Sequence, residues 1–102
     1  QADGLRKSSS FFAVDTIAAD TYKGVAGVKT LAVGAQWVTS DKADMNTVYE
    51  ITKALYSDAA QKTLAAGHAK GKFITLKNAV QGVGIPFHPG AEKFYKEAGV
   101  LK

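Results

Sequence analysis

The chain has 102 residues, of which 46% are hydrophobic, no cysteine, and a formal net charge of +4. That length bounds it to one domain, or part of one, with a modest core, and the apolar fraction is that of a folded protein rather than a disordered one. Disulfides, thiolate catalysis and Cys-ligated metal sites are excluded. No apolar run reaches the roughly 18 residues that span a bilayer, since the longest, Leu31 to Val38, is broken by Gly34 and Gln36.

The cationic excess does not predict a nucleic-acid partner. Lysines are scattered singly, Lys70 with Lys72 is the densest group, and Arg6 is the sole arginine, whereas phosphate and base readers lean on several arginines. A solvated, slightly cationic surface is the simpler reading. The chain starts at Gln1 without a basic-then-apolar leader, which suggests a processed or truncated chain.

In chain order, residues 1–10 are polar, end in Ser8-Ser9-Ser10, and read as a loop or flexible start. The folded portion is then expected over 11–102. Phe11 to Ile17 is a short, partly β-branched apolar run that predicts a strand. Asp20 to Gly24, with Gly27, marks a turn. Val28 to Thr39 is too rich in Gly and β-branched residues for a helix and predicts one long strand, in which Gly34 would mark a bulge or a close backbone approach.

At Ser40–Asp44 the pattern changes. Asp44 is a natural N-cap, and Val48, Ile51 and Leu55 with Tyr49, Thr52 and Tyr56 follow at helical spacing on adjoining faces. Asp58 would cap a second helix ending at Gly67, and Thr75 a third running through Leu76 and Val80. His88-Pro89-Gly90 opens a fourth, since proline suits the first helical position, and Gly99 would end it. Two strands followed by about four helices make an α/β pattern, but two unequal strands do not form a stable sheet alone. The pattern therefore reads as the end of something larger.

No catalytic constellation emerges. No serine lies in a Gly-x-Ser-x-Gly elbow. His68 and His88 lack metal-pair spacing, and each has a structural explanation, at a helix end and before a helix start. Gly24-Val25-Ala26-Gly27-Val28-Lys29-Thr30 misses the phosphate-loop pattern, which needs four residues between the glycines and Gly directly before Lys. Tyr49 and Tyr56 read as core packing, and Asp41 with Asp44 as capping rather than a carboxylate pair. The residues predict a non-enzymatic α/β unit without cofactor or metal.

Three segments carry a family resemblance: Thr16 to Gly24, beside an Ile-Pro-Ala-Gly-Thr-Tyr-x-Gly stretch; Val48 to Tyr56; and Ile85 to Glu97, containing His88-Pro89-Gly90-Ala91. In this order they resemble the TAXI family, the TRAP-associated extracytoplasmic solute receptors, from about Leu5 to Lys102. Ala18, Ala19 and Asp20 depart from the family's Pro, Ala and Gly, so that turn is expected to differ in shape.

The resemblance covers the family's C-terminal third and implies part of a type II periplasmic-binding-protein fold. In it Phe11–Ile17 belongs to the second lobe, Val28–Thr39 is a hinge-crossing strand, and the helices complete the first lobe. It also implies a periplasmic or extracytoplasmic location, a small organic acid or amino acid ligand such as glutamate, and docking on TRAP membrane subunits. Ligand contacts are expected at Tyr22, then Ala35, Gln36 and Thr21. For these a structural role explains the residues equally well, with Tyr22 capping the turn and Gln36 bonding backbone. The competing expectation is an interaction module that self-associates through surface left bare by the missing lobe.

Overall fold

The computed structural model describes every residue from Gln1 to Lys102. The chain divides into two compact units, one comprising Gln1–Gln36 with Gln81–Ile85 and the other Trp37–Val80 with Pro86–Lys102. It holds two antiparallel strands and four α-helices, the α/β composition expected.

The first unit opens with a helix rather than the loop expected of residues 1–10. Helix α1 spans Ala2–Ser8, with Asp3 in its first turn and Arg6 and Lys7 in its last, the charge order that complements the helix dipole. The Ser8 hydroxyl donates to the Leu5 carbonyl at 3.1 Å. The serine run that reads as a loop thus finishes the helix instead. Strand β1 (Phe12–Ile17) pairs with β2 (Val28–Val33) in a register running from Phe12↔Val33 to Ile17↔Val28.

The long strand expected over Val28–Thr39 is shorter than that and stops at Val33. β1 supplies no partner past Phe12, and extended backbone without a ladder leaves its N–H and C=O groups to solvent. Gly34 lies past the ladder in open space, so it marks neither a bulge nor a close approach. Close approaches in this unit are at Gly27, where an added Cβ would lie 3.2 Å from the Ala19 nitrogen, and at Gly82, which has φ +66° and where it would lie 3.2 Å from the Phe11 carbonyl.

In the second unit, helix α2 (Met45–Leu55) is capped as its sequence predicts: the Asp44 carboxylate accepts from Thr47 N–H at 2.9 Å and from the Thr47 hydroxyl at 3.0 Å. These two bonds hold the Asp44 carboxyl below its usual range. Helix α3 (Asp58–Gly67) is capped by Ser57, whose hydroxyl accepts from Ala60 N–H, and not by Asp58, which occupies its first turn. A 3-10 turn, Gly71–Phe73, follows. The helix expected after Thr75 is a series of turns. Thr75 Oγ1 does accept from Asn78 N–H at 3.4 Å, but Gly82 at positive φ follows too soon for a helix to propagate past its costly first turn.

Helix α4 (Pro89–Glu97) starts at His88 with Pro at its first position, and Gly99 at φ +78° ends it. The core of this unit is the α2–α4 seam. Tyr95 and Thr52 are buried there, and Phe94 lies between Tyr49 and Tyr56 at centroid distances of 6.2 and 6.1 Å. Tyr95 is edge-on to Tyr56 and Phe87. The tyrosines one heptad apart are half-buried and pack on Phe94, the packing role that their spacing predicts. Of the aliphatic set on α2, Ile51 is turned to solvent, while Val48 and Leu55 are half-buried. Gly90 permits the seam: a Cβ there would overlap the Met45 carbonyl and lie 2.8 Å from the Tyr49 nitrogen.

Candidate functional site

The residues expected to touch ligand all lie in the first unit, but at two places. Thr21 and Tyr22 sit on the β1–β2 connection, beyond the Ile17↔Val28 end of the ladder. Ala35 and Gln36 follow β2, beyond the Phe12↔Val33 end. Five residue steps of antiparallel strand separate the two ends, about 17 Å. The structure brings Thr21 together with Tyr22 and Ala35 with Gln36, and does not bring the pairs together.

The connection is built from its own polar groups. Asp20 N–H donates to the Val25 carbonyl at 2.9 Å, and Val25 N–H to the Tyr22 carbonyl at 2.9 Å. The Thr21 hydroxyl donates to the Ala18 carbonyl at 2.8 Å. Asp20 has φ +61°, and its carboxylate accepts from Gly24 N–H at 3.3 Å. Asp is among the few side chains that tolerate this left-handed conformation, through such local bonds. The aspartate thus takes a backbone shape open to glycine, the residue typical of the resembling stretch, and the turn forms without it.

These bonds commit the Thr21 proton to the backbone and leave the Tyr22 side chain outward, 65% exposed. Tyr22 therefore does not cap the turn through its ring; its backbone carbonyl does so. Gln36 is exposed, and Ala35 offers only its backbone.

Both histidines are occupied structurally. His88 caps α4 by accepting from Gly90 N–H at Nδ1, 3.1 Å, which leaves Nε2 to donate to the Ala43 carbonyl at 2.9 Å. His68 closes α3 and accepts from Lys70 N–H at 3.0 Å. No group of three metal-ligating side chains exists, and no helix is long and apolar enough to cross a membrane.

The NMT1-like family model matches residues 1–99, and the chain belongs to that family, which is related to periplasmic solute-binding proteins. Proteins of this solute-binding type are typically non-enzymatic and usually extracytoplasmic. No solved structure matches the chain.

Proposed function

We propose that this chain is the C-terminal portion of a two-lobed extracytoplasmic solute-binding protein of the TAXI kind, serving a TRAP-type transporter and binding a small carboxylate-bearing metabolite such as glutamate. The observation that carries the reading is membership of a family related to solute-binding proteins over nearly the whole chain. The division into units supports it. The boundary between Gln36 and Trp37 falls inside the segment that the resemblance makes a lobe crossing.

The exposed surface also supports it. On the hairpin Val14, Val28 and Val33 are exposed. The hairpin has an unpaired outer edge on both strands, the state of a sheet awaiting further strands.

At the site, Tyr22 offers a hydroxyl donor and the adjacent Lys23 a positive charge, the pair a carboxylate needs. Thr21 holds the turn that presents them. Ala35 and Gln36 do not touch the same acid, because a five-carbon molecule does not span the ladder between the pairs.

Thermal melts with glutamate, 2-oxoglutarate and other dicarboxylates test the reading. Ligand at a hundred times its Kd stabilises by about 2.7 kcal/mol. That raises Tm by about 10 °C or more in a chain this size. Tyr22→Phe is expected to reduce the shift more than Gln36→Ala does. A cooperative melt that no acid moves contradicts ligand binding by this chain.

The bare surface favours one further reading, self-association without ligand. Light scattering after size exclusion separates the two. A mass that rises with concentration and ignores acids supports the module; a constant monomer mass opposes it.

A further inference from the structure

We infer that the turn Lys70–Ile74 is a docking element for an anionic lipid surface. Between Asp58 and Glu92 the sequence carries Lys62, Lys70, Lys72 and Lys77 and no acidic residue. The chain's whole excess of +4 therefore lies in that stretch, because the other nine basic side chains match the nine acidic ones.

Within this stretch two adjacent apolar side chains face solvent, Phe73 at 52% and Ile74 at 40% exposure. The ammonium groups of Lys70 and Lys72 lie over the Phe73 ring, 5.1 and 5.4 Å from its centroid. Aromatic, aliphatic and paired cations thus project from one five-residue turn.

The turn is rigid. Phe73 N–H donates to the Lys70 carbonyl and Ile74 N–H to the Gly71 carbonyl, each at 3.1 Å. The Asn78 side-chain amide donates to the Phe73 carbonyl at 2.9 Å. Gly71 is buried against the Leu64 backbone so closely that a Cβ would overlap the Leu64 carbonyl. This frame holds Phe73 and Ile74 outward in this chain.

Charge complementarity selects the occupant. The nearest acid in sequence before the turn, Asp58, is at the far end of α3. Protein interfaces favour Arg and Tyr at their centres and are depleted in Lys. Lysines flanking an exposed aromatic fit a headgroup layer, with the apolar tip entering the acyl boundary and the ammonium groups at the anionic surface.

The test is co-sedimentation of the chain with vesicles of phosphatidylcholine alone and of equal parts phosphatidylcholine and phosphatidylglycerol. Binding to the anionic vesicles is expected, at least about tenfold tighter than to the neutral ones and weakening with salt. Lys70→Gln with Lys72→Gln should weaken it about 30-fold, and Phe73→Ser about tenfold.

Phe73→Trp in a Trp37→Phe background gives a readout that does not depend on loss. Its emission should shift to the blue on anionic vesicles only. Equal binding to both vesicle types, or to neither, overturns the proposal. So does binding that Phe73→Ser leaves unchanged and polyglutamate competes away, which would assign the turn to an acidic protein partner.

Discussion

Gly90→Ala is the substitution on which propensity and structure disagree most sharply. In a helix, alanine is favoured over glycine by about 1 kcal/mol, so sequence reasoning predicts a gain. The structure predicts a loss. A Cβ at this position would overlap the Met45 carbonyl and stand 2.8 Å from the Tyr49 nitrogen and 3.0 Å from Val48 Cβ. Two of these atoms are backbone and cannot rotate away, so α4 must move off α2 and loosen the Phe94 contacts with Tyr49 and Tyr56.

Overpacking of this kind costs typically 1–3 kcal/mol, and the rigid partners place Gly90→Ala at the upper end. Net of the propensity gain, the expected loss is about 2 kcal/mol, or a Tm lower by roughly 8–16 °C. The near-ultraviolet tyrosine signal reports this seam, and a urea or thermal melt followed there measures the effect. An unchanged or raised midpoint would refute the close α2–α4 approach and with it the assignment of the His-Pro-Gly-Ala segment to structure.

The other predictions follow the same contacts. Gly71→Ala should destabilise comparably and loosen the Lys70–Ile74 turn, seen as faster amide exchange at Phe73 and Ile74. Asp20→Ala should cost about 1 kcal/mol because alanine lacks the local bonds that ease positive φ, whereas Asp20→Gly should be near neutral in the same melt. The Asp44 carboxyl titrates below its ordinary 3.8 in the folded chain because Thr47 bonds its charged form. Its contribution is therefore complete above that value and lost as pH falls below it. The Tm deficit of Asp44→Ala should narrow in that acid range. Tyr49 donates to Glu97 at 2.6 Å, which raises its pKa above the ordinary 10.0. This stabilisation is present below pH 10 and lost as pH rises through the folded value, and Glu97→Gln should flatten that alkaline limb.

What the sequence made legible is local. Asp44, His88-Pro89 and Gly99 declare helix ends through their own chemistry, and the tyrosine spacing on α2 marks the buried face. Strand length was not legible, because it depends on the partner: Val28–Thr39 is rich in β-branched residues on both sides of Gly34, yet its ladder ends where β1 begins at Phe12. The N-terminal helix was missed because the serines that signal a loop also finish helices, and the Asp3 and Lys7 charge order is a weak signal over two turns. In the candidate site the turn was legible from its Asp, Thr and Gly content. The separation of Tyr22 from Gln36 was not, because register alone decides which end of a hairpin each residue reaches.

The account stands most directly on whether this chain binds an acid through its β1–β2 turn. The decisive measurement is a calorimetric titration of glutamate and 2-oxoglutarate into the wild-type chain and the Tyr22→Phe variant. The account predicts saturable heat in the wild type that weakens in the variant by about the worth of one charge-assisted hydrogen bond, roughly tenfold or more in Kd. A flat titration of a chain that melts cooperatively, or equal binding by both proteins, would contradict it.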